Sequence, residues 1–168
     1  MLEKIIINTD NLNDSEIDKY NNKVRAILIK DNKLLISRYA GITLLPGGKV
    51  DKDESLDEAI TRELKEETGI IYNENELEKY LEVKYYQKEY PTRTNGTINR
   101  LLTTTYYIGK YKGTNLDNAN RTLSELLNGF SLELVDIDKL PELMDEKSDN
   151  PRKTFFDTEL NAVVKTLK

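Results

Sequence analysis

Residues 48–70, GKVDKDESLDEAITRELKEETGI, hold the densest run of readable signals in the chain. Ser55 and Glu58 make a Ser-x-x-Glu capping box, which marks a helix N-terminus. Gly69 stands where a left-handed C-terminal cap belongs, and Ile70 can supply the apolar contact that accompanies it. Between them the spacing predicts a helix over 55–68. At about 100° per residue, Leu56 falls about 20° from Glu63, Ala59 about 40°, Ile60 about 60° and Leu64 about 100°, the width of a core-facing stripe. On the same scale Glu66 and Glu67 fall about 60° and 40° from Glu63. The face that is apolar where the helix begins is acidic where it ends.

Carboxylates at i, i+3 and i+4 repel one another. If partly buried, they must take up protons or meet a counter-charge. Arg62 adjoins Glu63 and stands four residues from both Glu58 and Glu66, but one guanidinium cannot balance them all. A divalent cation can, and Glu63, Glu66 and Glu67 offer only hard oxygen donors. A cation held in this way is what phosphate and pyrophosphate chemistry uses, to neutralise phosphoryl oxygens and activate a water. A charge run is more often a solvated face. The overlap with the apolar stripe argues against that plainer reading here.

Composition points in the same direction. The chain has 168 residues, no cysteine and no histidine, and 25 Lys+Arg against 30 Asp+Glu for a net charge of -5. Without cysteine there is no disulfide, thiol nucleophile or thiolate metal site. Without histidine there is no imidazole base or imidazole ligand. Any chemistry must use carboxylates, lysine, tyrosine, hydroxyls, backbone groups or an oxygen-bound metal such as Mg²⁺, Mn²⁺ or Ca²⁺. Mild acidity argues against a nucleic-acid polymer as main partner, since that needs a basic face. No apolar run approaches the roughly 20 residues of a membrane span, and the N-terminus does not read as a signal peptide. Cytoplasm is the default expectation.

The length suits one domain over 1–168, with a core over about 24–140 and a C-terminal helix over about 151–167. Ile5–Ile7 reads as a short strand, and 8–22 as polar and irregular with at most one helical turn. Val24–Ile29 and Leu34–Ser37 form a strand pair joined by a turn over 30–33. Leu44-Leu45-Pro46-Gly47-Gly48 demands a special backbone. Leu81–Tyr86 and Arg100–Ile108 read as strands with a loop over 88–99, followed by a loop over 112–120. Leu132–Val135 is a further strand and 138–144 a short helix. Asn150-Pro151 reads as an N-cap and first-turn proline, followed by an apolar stripe at Phe156, Leu160, Val163, Val164 and Leu167. Strands and helices mix without a regular βαβ alternation, so the fold class is α+β, or mixed α/β, rather than doubly wound.

The segment 48–70 resembles the Nudix box: Gly, five residues, Glu, seven residues, then Arg-Glu-apolar-x-Glu-Glu-x-Gly-apolar. Gly48, Glu54, Arg62, Glu63, Leu64, Glu66, Glu67, Gly69 and Ile70 match every specified position. The lead-in over 44–48, the strand pair over 24–37 and the stretch 134–140 are similar to the family as well. The resemblance implies an αβα sandwich with a mixed sheet and a loop–helix–loop motif. It implies Glu63, Glu66, Glu67 and the Gly47 carbonyl as ligands of Mg²⁺, with Mn²⁺ as substitute. Arg62 would orient the glutamates, and Glu54 would brace the loop, a role that a structural salt bridge with Arg62 would equally fill. The reaction implied is hydrolysis of the pyrophosphate in a nucleoside diphosphate linked to another moiety, releasing a nucleoside monophosphate.

Glu63 is the first choice of general base. Glu125 is a candidate second carboxylate by its place before the late strand, or else an ordinary exposed helix glutamate. Arg25, Arg38, Arg93 and Arg100 are candidates for binding substrate phosphates. Tyr85, Tyr86, Tyr90, Tyr106 and Tyr107 could stack on a base or simply pack. Marks of the ADP-ribose, dinucleoside polyphosphate and coenzyme A subfamilies are absent or out of place. A non-catalytic nucleotide sensor with the same fold is the alternative, disfavoured by the intact box. The expected partner is a small nucleotide, and many relatives of this kind are homodimers.

Overall fold

Alternation along one strand organises the molecule. In the computed structural model, which describes all 168 residues, β2 (Lys19–Lys30) lies within an eight-stranded mixed sheet. The other strands are β1 (Glu3–Ile7), β3 (Lys33–Tyr39), β4 (Ile42–Leu44), β5 (Gly47–Lys49), β6 (Leu77–Pro91), β7 (Thr97–Lys110) and β8 (Ser131–Asp136). The main path runs β1-β6-β7-β2-β3-β4, with β5 on β2 and β8 on β3. β1–β6 and β7–β2 are parallel, and the remaining pairs are antiparallel. Successive strand residues point to opposite faces. Val24, Ala26 and Leu28 therefore pack on α1 (Leu56–Thr68), through Ala59, Ile60 and Leu64. Ile27 lies on the opposite face, in a second core with Leu160, Val163 and Val164 of α4 (Lys153–Lys165) and Leu140 and Met144 of α3 (Leu140–Met144). Helices thus cover both faces, as the αβα expectation requires. A short α2 (Leu123–Leu127) precedes β8. No helix is long and apolar enough to cross a membrane.

The capping signals act as written. Ser55 accepts a hydrogen bond from the Glu58 amide, Glu58 returns one to the Ser55 amide, and Gly69 takes the left-handed conformation at φ 74°. Asp31 and Asn32 both have positive φ, the requirement of a type I′ hairpin turn between β2 and β3.

Four expectations need correction. β2 begins at Lys19, inside the stretch read as irregular, because its polar first half pairs in parallel with β7 from Lys19↔Arg100 onward. β6 and β7 run well beyond the expected 81–86 and 100–108, so the loop over 88–99 shrinks to a tight turn at 92–96. A register shift between Gln87 and Tyr90, with Glu89 at positive φ, interrupts the alternation that would have revealed the longer strands. The last helix begins at Lys153 with Arg152 as its N-cap. Asn150 instead serves the turn before it, accepting from the Arg152 amide and donating to the Ala40 carbonyl.

Candidate active site

The end of α1 meets the 44–48 turn through its carboxylates. Gly47 has φ 143°, and a Cβ there would stand 2.1 Å from the Val24 carbonyl oxygen, so only glycine fits. The Gly47 amide donates to Glu67 Oε2 at 3.1 Å. Glu67 is 5% exposed. Burial, then the neighbouring Glu63 charge, push its carboxyl well above the usual range. Glu63 is also raised, chiefly by burial. It lies so close to Gly48 that a Cβ there would be 2.4 Å from Glu63 Oε1.

Arg62 ties the loop to the helix. Its Nε and one Nη hold Glu54 in a fork at 2.6 and 2.9 Å, and it donates to the Lys49 carbonyl at 3.0 Å. Its other Nη reaches Glu63 Oε1 at 2.9 Å and Glu66 Oε2 at 3.3 Å. Glu54 also accepts from the Asp51 amide, which closes the loop on itself, and the Arg62 hydrogen bonds lower its pKa.

The buried Glu67 and the partly buried Glu63 repel each other and offer hard oxygen donors only, which fits a divalent cation chemically. No three acidic side chains converge on one point. Arg62 draws Glu63 and Glu66 together, while Glu67 turns to Gly47.

A cleft of about 1020 Å³ opens beside Gly47 and Glu67. Its floor is the face of β2 that carries Lys19, Asn21, Lys23 and Arg25. Arg25 donates to the Leu45 carbonyl at 2.6 Å and is 6% exposed. Seven basic side chains line the cleft against two acidic ones, Glu67 and Glu125. None of the seven lies within 4.0 Å of a carboxylate, although Arg and Lys elsewhere in the chain do.

A family model described as NUDIX domain matches residues 19–156. The chain belongs to the Nudix family. It is similar to a MutT Nudix hydrolase from Burkholderia pseudomallei, 21% identical, with TM-score 0.55 over 79% of this chain and 92% of that one. A Nudix hydrolase from Nitrosomonas europaea is 20% identical, with TM-score 0.54 over 86% and 90%. At these identities the likeness is one of fold. An ADP-ribose pyrophosphatase of Methanocaldococcus jannaschii is 45% identical over 53 residues, 29% of this chain and 31% of that protein. The match therefore spans about a third of the curated relative's length.

Within this Nudix site the expected residues separate. Gly47, Glu67, Glu125, Arg25, Arg93 and Arg100 line the cleft. Glu63 lies behind Gly48, and Arg62 and Glu66 stand on the outer side of the helix end, so these three do not line it. Arg38 does not line it either, because its guanidinium pairs with Glu146. Glu125 is half-buried on α2, and its carboxylate also accepts from the Thr122 amide as part of a cap. Of the five tyrosines only Tyr90 reaches the cleft. Tyr85 packs on Phe155, Tyr86 donates to Asp14, Tyr106 to Glu159 and Tyr107 to Asp57.

Lys23, Arg152 and Phe156 line the Nudix cleft without having been singled out for it. For Lys23 a signal existed. Lys19, Asn21, Lys23 and Arg25 alternate with a period of two and continue into Ile27, the pattern of one strand face that turns from polar to apolar. Arg152 had no such signal, because only tertiary packing carries the start of α4 to the cleft mouth.

Proposed function

We propose that this protein hydrolyses the pyrophosphate linkage of a nucleoside diphosphate joined to another moiety, releasing a nucleoside monophosphate, with Mg²⁺ or Mn²⁺ as cofactor. The observation that carries this reading is the continuity of one cleft from the buried Glu67–Gly47 pair to a wall of cations that lack carboxylate partners. Glu63, Glu66, Glu67 and the Gly47 carbonyl would hold the ion. When bound, it supplies charge neutralisation at phosphoryl oxygens and a more acidic water. Arg25, which lines the cleft with Glu67, binds a substrate phosphoryl oxygen. Arg62 holds Glu63 and Glu66 in place through charge-assisted hydrogen bonds. Glu63 is the base: its Oε2, which Arg62 does not engage, takes the proton from the attacking water, and for this the side chain must turn from behind Gly48 to the cleft. Burial raises the Glu63 pKa and suits it to that task.

The test is a panel of nucleoside triphosphates, nucleotide sugars and dinucleoside polyphosphates with Mg²⁺ or Mn²⁺, reading nucleoside monophosphate release. Glu66→Gln and Glu67→Gln should each lose at least about a hundredfold in kcat/KM with the fold retained, because a metal at the phosphoryl oxygens supplies several kcal/mol. Binding without turnover across the panel would replace the hydrolase reading with that of a nucleotide sensor.

A further inference from the structure

We propose that the far end of the cleft is a second anion subsite, in which Lys23, Arg100 and Arg152 take a phosphomonoester remote from the scissile pyrophosphate. This rests on the hydrolase reading and narrows its substrate to a nucleoside diphosphate derivative that carries one further phosphate group.

Strand register separates the two ends. Arg25 stands opposite Gly47, and Arg100 stands opposite Lys19, six residues further along β2. At ~3.3 Å per residue that is about 20 Å of backbone. One pyrophosphate held at Glu67 does not span the distance between the two strand positions. Lys23 lies between the ends on the same strand face, two residues from Arg25, and its amine feels the charges of Arg25, Arg100 and Arg152 alike, so Arg100 and Arg152 mark the remote end and Lys23 closes its near side.

The cations there are positioned by aromatic rings and amides rather than by carboxylates. The Arg100 guanidinium lies 3.5 Å from the centre of the Tyr90 ring, and its Nε donates to Gln87. Arg152 stands 5.2 Å from the same ring and donates to the Pro91 carbonyl at 3.0 Å. Lys23 Nζ stands 5.6 Å from the Phe156 ring. Cation–π contact fixes a cation without neutralising it. The nearby carboxylate, Glu159, is buried and accepts from Tyr106 at 2.6 Å, and no ion pair forms between it and any of the three. Because Tyr90 and Phe156 already carry cations, the rings at this end serve to present positive charge more than to stack on a base.

An arginine only 8% exposed and without a carboxylate partner is costly in an empty cleft. A phosphate offsets that cost through charge-assisted hydrogen bonds. Since the whole chain is at -5, the basic end is a local feature rather than part of a generally basic surface. The Lys23 amine is pushed down to about 7, by burial first and then by Arg25 and Arg100, as expected of a cation crowded by its own kind.

Matched pairs test the subsite. NAD⁺ and NADP⁺, and likewise 3′-dephospho-coenzyme A and coenzyme A, differ by one phosphomonoester away from the pyrophosphate. With Mg²⁺ the phosphorylated member of at least one pair should show about tenfold higher kcat/KM, carried by KM. Arg152→Met and Lys23→Met should bring that ratio toward one, and Lys23→Arg should retain it. Calorimetric binding of the same pairs in EDTA gives a readout independent of turnover, with thermal melts to confirm that each variant folds. Equal binding and equal kcat/KM within both pairs would overturn the subsite and leave the hydrolase reading intact. A binding preference with no hydrolysis of any compound would support the subsite and overturn the hydrolase reading.

Discussion

Glu67 is a residue whose position is costly without a partner. It is held 5% exposed against the Gly47 amide, near Glu63, with Arg25 as the counter-charge. A carboxylate whose folded pKa is raised contributes stability that is present below its unfolded pKa and lost as pH rises through the folded one. Glu67→Gln should therefore stabilise the metal-free protein at pH 8, by about 2–8 °C in Tm for ~1–2 kcal/mol, while lowering activity at least about a hundredfold. The gap between variant and wild type should narrow toward pH 5. Melts in EDTA at the two pH values check this, and a variant that melts lower than wild type at pH 8 would show that Glu67 is not under strain. Lys23 titrates in the opposite sense. It faces Arg25 on its own strand, Arg100 on β7, Lys49 on β5, and Arg152, Phe156 and Glu159 at α4. Its lowered pKa means that the amine is largely neutral at pH 8 when the cleft is empty. Binding of a phosphate at pH 8 should draw in a proton, so the calorimetric enthalpy should depend on the ionisation enthalpy of the buffer. That dependence should disappear in Lys23→Arg.

At the scale of elements, α1 owes its position to its two ends. The capping box satisfies the first-turn amides and Gly69 closes the last turn. Ser55→Ala should cost about 1 kcal/mol, or roughly 2–4 °C in Tm. Loss of activity should stay small, because Arg62 still ties the helix to Glu54 and the Lys49 carbonyl. A large activity loss with an unchanged Tm would mean that the cap positions the glutamates directly. This helix was legible in the sequence because its signals are local: cap, stripe and glycine stop fall within 16 residues. The β6–β7 hairpin was less legible. Its outer half is polar and its register shifts near Glu89, so tertiary pairing rather than residue pattern sets its length. α4 was legible as an apolar stripe but not in its first turn, where Asn150 caps the turn before the helix.

At the scale of the molecule, charge is distributed unevenly: a chain of -5 encloses a cleft with seven basic and two acidic side chains. A cleft of one sign focuses the field and attracts anions despite the net charge. What the sequence by itself determined was the mixed α+β class, the capped helix, the box that ends in Glu63, Glu66 and Glu67, and the expectation of oxygen-bound metal in a chain without His or Cys. These follow from local spacing and composition, which do not depend on how distant segments pack; the αβα layering was implied by the resemblance of that box to the Nudix family. The arginines and tyrosines were different. Arg25 and Arg100 face the cleft while Arg38 pairs with Glu146, and four of the five candidate tyrosines pack or bond elsewhere. A strand residue's type does not disclose which neighbour satisfies it, and long side chains reach partners more than a hundred residues away. Only the tertiary structure could bring β2, β7 and the start of α4 together, so only it decided which cations remain without a carboxylate and face the cleft.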